Sequence, residues 1–358
     1  MDGIKTFLKR VPISTLIIFG FWLLILIIGY FLGFRMTSLF SDTIQRFGMW
    51  GLFVLAMVPS IQSGTGPNFA LPIGVVTGLI SWVIAADMGH VGFQLLFVSV
   101  IIAIILGCLM GWGYGKLMNA VKGSEMAIAT YTGFAATFFF SMIWLIYRTD
   151  NENLGWFIGS GLRNFISLRP FEMEGILDNL WRVEILRSTN EAGELIGGLV
   201  IPTGTLLVVT IACILMWLFF RSKHGIAISA VGMNPMFAKA TGLNADRSRV
   251  LANMISTALA SVGIIVYAQA FGFVQLYDAP LMMAFSAVAA VLVGGATAQR
   301  SKVINVIIGT ILLQGLITNG PPVFGRLLEG ADITDAVRMI VQNGIILYAL
   351  AQMKGGGK

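Results

Sequence analysis

Residues Val11 to Phe34 read VPISTLIIFGFWLLILIIGYFLGF, 24 positions without a charge. A helix rises 1.5 Å per residue, so about 20 such residues cross the ~30 Å apolar layer of a bilayer. Lys5, Lys9 and Arg10 precede the stretch. It is about twice as long as a signal-peptide core and no small-x-small cleavage pattern follows, so it reads as an uncleaved first membrane helix.

The same pattern repeats outward from this stretch. Apolar segments lie near 50–63, 69–86, 91–113, 125–147, 199–220, 250–272, 281–296, 302–319 and 334–352, which with the first makes about ten. Composition agrees: 57% of the 358 residues are hydrophobic and 11% charged, where a soluble domain carries about 25% charge. The expected fold is an all-α polytopic membrane protein, a single transmembrane domain over residues 1–352, with a flexible Gly-Gly-Gly-Lys tail at 353–358.

Charge sets the expected orientation, because cytoplasmic loops retain Lys and Arg. With the N-terminus inside, all nine lysines fall on the cytoplasmic side, where 14 basic residues face three acids, and the outer side holds nine arginines and 14 acids. Both termini are then cytoplasmic. Residues 148–198 form a charged outer stretch. Phe171 to Leu186 mixes charges with Leu, Ile and Trp at helical spacing, which predicts a cap with short helices, either a docking surface or a solvated loop. Residues 221–249 form a cytoplasmic stretch in which Asn234-Pro235 is a helix start and Gly242 a stop. The resulting helix of one to two turns carries Met236, Phe237, Ala240 and Leu243, apolar residues that need something to pack against.

Several function classes lack their parts. The net charge of +6 is spread between apolar runs, without the dense basic block of a nucleic-acid binder. Cys108 and Cys213 lie inside apolar runs, with no metal-ligand spacing. His90 and His224 fall on opposite sides with no nucleophile nearby, which leaves no catalytic residues to name. Gly111-Trp-Gly113-Tyr-Gly115-Lys116-Leu117 lacks the spacing and the hydroxyl of a phosphate loop. The expected helix centres hold no ionisable residue, which argues against a proton relay. Asp87, His90, Glu125 and Arg338 sit at helix ends.

The helices contain small residues instead: Gly64, Gly66, Gly74, Gly78, Gly107, Gly111, Gly294, Gly295, Gly309 and Gly315, suited to close helix approach. Asn253, Ser256, Thr257, Gln269, Gln314, Asn319, Gln342 and Asn343 are uncharged polar residues that either bond neighbouring helices or line a path for a neutral hydroxylated solute. Ser63-Gly64-Thr65-Gly66-Pro67-Asn68 is a run of breakers, compatible with a tight hairpin or with a helix broken inside the membrane.

The cytoplasmic stretch carries a more specific pattern. Ala230-x-Gly232-x-Asn234-x-x-x-Ala238-x-x-x-Gly242-Leu243 resembles the signature loop of the permease subunits of ABC importers for ribose, galactose and related small solutes, including nucleosides and autoinducer-2, except that Phe237 stands where the family has an Ala and Leu243 where it has an Ile. Val293-Gly294-Gly295-Ala296 and the helix from Gly309 through Gln314 and Asn319 to Gly320 resemble that family's second Gly-Gly loop and the helix after it. The first Gly-rich loop departs from the family pattern at Ser63–Gly74, where two prolines appear and an Asp is missing.

The resemblance implies a type II importer-like permease bundle in a bacterial or archaeal cytoplasmic membrane, working by alternating access as a homodimer or with a sister chain. Two cytoplasmic ATPase subunits, which hold the ATP and Mg²⁺, would dock around Asn234 to Gly242, and an external solute-binding protein would deliver the solute. The path would pass Ser63, Gly64, Thr65, Gly66, Asn68, Gly294, Gly295, Gln314 and Asn319. Lipid is the remaining partner, and no cofactor or metal is expected in the chain itself. A secondary transporter or channel with no ATPase, and a membrane scaffold without solute flux, are the competing readings.

Overall fold

The computed structural model describes residues 12–156, 159–189, 195–297, 299–327, 339–340 and 343–344. The expected segment at 334–352, Arg338 and the tail at 353–358 lie essentially outside the described residues. Eleven helices are described. They are α1 (Ile13–Phe31), α2 (Met36–Gln62), α3 (Leu71–Asp87), α4 (Gly92–Ala120), α5 (Glu125–Ile146), α6 (Thr203–Arg221), α7 (Lys223–Met233), α8 (Pro235–Ala240), α9 (Ala245–Phe271), α10 (Ala279–Val293) and α11 (Val303–Leu327). Six of them, α2, α4, α5, α6, α9 and α11, are long and apolar enough to cross a membrane, and shorter apolar helices occupy the segments expected near 11–34, 69–86 and 281–296.

Two expectations need correction. Helix α2 starts at Met36, well before residue 50. Asp42, Gln45 and Arg46 look like loop residues in sequence, yet they lie in the first turns of α2, where polar side chains still reach water, while Leu39, Thr43 and the run from Gly48 to Ile61 face inward. The cap at 148–198 is built from strands rather than short helices, so the chain is mostly helical and not all-α. Strand β2 (Val183–Thr189) pairs antiparallel with β3 (Leu195–Ile201), and β1 (Phe165–Ser167) pairs with β4 (Phe273–Gln275), joining the cap to the chain after α9. The span read as helical, Phe171 to Leu186, holds no helix beyond its first residue, which ends the 3-10 turn Arg169–Phe171. β-Branched Val183 and Ile185 alternate with Glu184, a period of two that outweighs the helical spacing.

Helices α2, α3, α9 and α10 form the core. Trp82, Phe53, Leu52, Leu55, Leu71 and Leu79 are among its largest fully buried side chains. Helix α9 is clamped by glycines from two sides. A β-carbon on Gly107, Gly111 or Gly115 of α4 would lie 2.8, 2.7 and 2.8 Å from the Cα of Ala258, Met254 and Val250. On α3, a β-carbon at Gly74 would lie 2.7 Å from the Thr257 carbonyl. Lipid supplies no hydrophobic drive for helix association, so this backbone proximity is what holds α3, α4 and α9 together. A second, smaller apolar cluster joins α1 and α11 through Trp22, Ile25, Leu312, Leu316 and Val323.

Contacts between loops sort into two opposite ends, as strict alternation of crossing helices requires. One end holds the start of α1 (Thr15 Oγ1 to Val293 O, 2.7 Å), the α4–α5 turn (Lys122 to Asp246, 2.6 Å) and the α7–α9 stretch. The other holds the cap, where Leu177 N donates to Gln269 Oε1 (3.0 Å) and Tyr277 Oη to Leu162 O (3.2 Å). All five lysines among the described residues, 116, 122, 223, 239 and 302, fall at the first end.

Candidate functional site

Helix α8 is short and sharply bounded. Asn234 caps it, its Oδ1 accepting from Phe237 N at 2.9 Å, and Pro235 occupies the first position, where a missing N–H costs nothing. It ends in a double closure: Gly242 N donates to Lys239 O (3.1 Å) and Leu243 N to Ala238 O (2.9 Å), with Gly242 left-handed at φ +83°. That is the glycine-terminated C-cap in which both orphan carbonyls find donors. Asn244 then caps α9 through Arg247 N at 2.9 Å. Ala238 is fully buried, whereas Met236 and Phe237 are 84% and 63% exposed and Met233 before them 60%. An apolar group of this size at the polar end of the molecule is a patch that calls for a covering surface.

Beneath α8, α7 leads back to the first break in the helices. A β-carbon on Gly232 would lie 2.9 Å from Gly64 N and collide with the Gln62 carbonyl, and one on Gly64 would lie 3.0 Å from Gly232 Cα. The backbone of the signature stretch therefore rests directly on the backbone of the 63–68 bend. Gln62 Nε2 reaches on to the Ser301 carbonyl, and Arg300 Nη2 approaches Met233 Sδ at 3.8 Å. Three separate stretches, around 62–68, 230–243 and 294–302, thus converge at one end.

The bend is a packed, hydrogen-bonded knot. The Ser60 and Ser63 hydroxyls each lie 3.0 Å from Thr65 Oγ1, and Ser60 Oγ donates to Gly66 O at 2.8 Å. Asn68 Nδ2 donates to Ser256 Oγ (2.8 Å), which donates to Ala56 O (2.6 Å), so that α2, α3 and α9 share one chain of bonds. Ser63, Thr65 and Asn68 are buried at 0%, 6% and 1% exposure. The Ser63–Asn68 stretch joins α2 to α3, with Gly64 and Gly66 left-handed at φ +77° and +82°, and it reverses the chain, since Ser41 of α2 and Asp87 of α3 both bond to the cap.

Gly294 and Gly309 make the α10–α11 contact equally close: a β-carbon on either would lie 2.8 Å from the other's amide nitrogen. Gly295 lies under Pro12, whose Cγ would be 3.0 Å from an added β-carbon. Gln314 and Asn319 are not brought to this end. Asn319 is 14 positions beyond Asn305, about 21 Å along a helix, where its Nδ2 donates to Thr43 Oγ1 at 3.1 Å. Gln314 is buried at 3% and its Nε2 has no partner among the described residues.

An ion pair not singled out in the sequence sits beside these stretches. Arg249 Nη1 meets Glu125 Oε1 at 3.3 Å, with side chains only 10% and 16% exposed, while Glu125 Oε2 accepts from Gly123 N at 2.8 Å. The pair ties the start of α5 to the start of α9. In sequence Glu125 reads as a charge at a helix end and Arg249 as one of the cytoplasmic basic residues, and no local signal matches residues 124 positions apart.

The architecture defines a class, a multi-pass membrane protein. The chain matches over residues 12–350 the family described as branched-chain amino acid transport system / permease component, and it belongs to that family of ABC permeases. It is similar to the nucleoside ABC transporter permease protein NupB of Lactococcus lactis subsp. cremoris (strain MG1363), 24% identical over 332 residues, 88% of this chain and 85% of that one. The galactofuranose transporter permease protein YtfT of Escherichia coli (strain K12) is 31% identical over 149 residues, 40% of this chain and 41% of that one. The probable ABC transporter permease protein YphD of the same strain is 27% identical over 165 residues, 45% and 47% of the two chains. No solved structure matches the chain.

Proposed function

We propose that this chain is the membrane-spanning subunit of a binding-protein-dependent ABC importer for a small neutral hydroxylated solute, a monosaccharide or a nucleoside. The observation that carries this reading is α8, an asparagine-capped helix with Met236 and Phe237 exposed, resting through Gly232 on the bend between α2 and α3. An ATPase subunit covering α8 would bury those side chains, and its ATP-driven closure would reach the bend through a backbone contact. ATP and Mg²⁺ would act in that partner. The lysine-bearing end is the cytoplasmic one by the positive-inside rule, which puts both chain termini inside and the strand-built cap outside, facing a solute-binding protein. A second permease, identical or a sister, completes the assembly. The solute class draws on what NupB and YtfT are named for and on helix interiors furnished with neutral polar groups.

The test is purification from the native membrane in mild detergent, with co-purifying chains identified by mass spectrometry. An ATPase with a Gly-x-x-x-x-Gly-Lys-Ser/Thr loop is expected. Asn234→Ala and Gly242→Leu should uncouple its ATP hydrolysis from uptake without unfolding the membrane part. A chain that purifies alone and conducts solute down a gradient in liposomes would overturn the reading in favour of a secondary transporter or channel.

A further inference from the structure

At the end opposite α8, the first turns of α2 and the cap enclose a cleft of about 320 Å³, within the range of pockets that hold small molecules. Resting on the importer reading above, we propose that this cleft is a reception site for a neutral polyhydroxylated solute on the permease itself.

One wall comes from α2, where Ser38, Asp42 and Gln45 follow one another at helical spacing and share a face. The facing wall comes from the cap, with Asp178 and Arg182, and Val200 supplies an apolar surface. Several of the lining residues are themselves held by bonds to their neighbours. Ser41 Oγ donates to Val200 O (3.0 Å) and accepts from Val200 N (3.1 Å), pinning β3 to α2. Asp178 Oδ1 accepts from the Thr205 hydroxyl and from Gln269 Nε2 at 3.4 Å, and Glu184 orients Arg182 at 3.0 Å.

Asp42 and Gln45, by contrast, are exposed and have no hydrogen-bond or ion-pair partner among the described residues, so a solute can replace water on both. The polar set matches vicinal hydroxyls. Carboxylates only accept, the guanidinium only donates, and the amide does both, while each sugar hydroxyl needs one bond of each kind. Arg46, one turn beyond Asp42, offsets that carboxylate, and Arg182 stands between Asp178 and Glu184, so acceptors and donors alternate around the cleft. The apolar floor suits the C–H face of a ring.

The test uses the full chain in lipid nanodiscs with Cys108→Ser and Cys213→Ala as background. Gln45→Cys is labelled with a water-soluble maleimide while uridine or D-ribose is titrated. The cleft reading expects a saturable slowing of at least about threefold at this position. Trp156→Cys, exposed on the cap away from the cleft, should label at an unchanged rate, and Asp42→Ala should raise the half-protecting concentration by about tenfold. Equal labelling rates with and without both probes would overturn the proposal. So would protection by a calcium salt alone, which would make the cleft a cation site.

Uptake in cells separates this proposal from the importer reading. If Asn234→Ala abolishes uptake while Asp42→Ala imports limiting solute as the parent does, the cleft reading falls and the importer reading stands. If deleting the chain leaves uptake of both solutes unchanged, the importer reading falls for those solutes, while labelling of the purified chain still decides the cleft.

Discussion

Gly232 on α7 lies against Gly64 in the bend between α2 and α3, so close that a β-carbon on Gly232 would sit 2.9 Å from the Gly64 amide nitrogen. No side chain intervenes between α7 and the bend between α2 and α3 at this contact. A movement of α7 is therefore transmitted without the slack that a flexible side chain would introduce.

Gly232→Val should push α7 away from the bend. The added side chain meets backbone atoms of Gln62 and Gly64, so the loss should exceed the ~1–3 kcal/mol of side-chain overpacking, and the melting temperature should fall clearly. Solute uptake should fall much further than ATP hydrolysis, and equal loss of the two would argue for simple destabilisation.

The glycine clamp gives a contrast within one helix. Gly111→Val drives a branched side chain into α9 and should lower the melting temperature by an overpacking amount, again about 1–3 kcal/mol. Gly113→Ala, two positions on, meets nothing within 4 Å. It should be neutral or slightly stabilising, since alanine is the better helix former.

Breaking the Glu125–Arg249 pair from one side strands a buried charge, which costs about 3 kcal/mol. Glu125→Gln and Arg249→Met should each destabilise strongly, and the double variant should recover most of the loss. Additive losses in a double-mutant cycle would show that the two side chains act independently.

A cysteine at Thr65 tests whether the bend ever meets the solute path. Thr65 is 6% exposed and held within the hydroxyl knot, so Thr65→Cys should resist a water-soluble thiol reagent in the resting transporter. Reactivity gained only during ATP turnover would place the bend on the path. Resistance throughout would limit it to packing.

Burial raises the Tyr277 phenol above its ordinary value while its hydroxyl donates to Leu162 O. A phenol with a raised folded-state pKa stabilises the fold below its unfolded value, about 10, and that contribution is lost as pH rises through the folded value. Melting temperature measured against pH should show an alkaline decline that is smaller in Tyr277→Phe.

Much of the fold is legible in sequence because apolar runs report membrane crossing directly, and the α8 caps because Asn234-Pro235 and Gly242 are local signals. What escaped was set by partners distant in the chain. The first turns of α2 carry Asp42 and Arg46 in a helix whose other face is buried, which a hydropathy window averages into a loop. The hairpin of β2 and β3 hides in Val183-Glu184-Ile185, too short a run to outvote the Leu and Trp residues before it. At the site, Ser63, Thr65 and Asn68 were readable as breakers, but their closure against Ser60 and Ser256 depends on how α2, α3 and α9 meet.

Helices α3 and α10 have 17 and 15 residues, about 25 and 22 Å, shorter than the ~30 Å hydrocarbon layer, and nearly all of both is buried in protein. Lipid therefore grips the molecule mainly through α1, α4, α5 and α6, whose outward faces carry Leu24, Phe97, Ile105, Phe138 and Leu215. Membrane thickness acts on that outer sleeve, and the inner helices are free to be as short as their own packing demands.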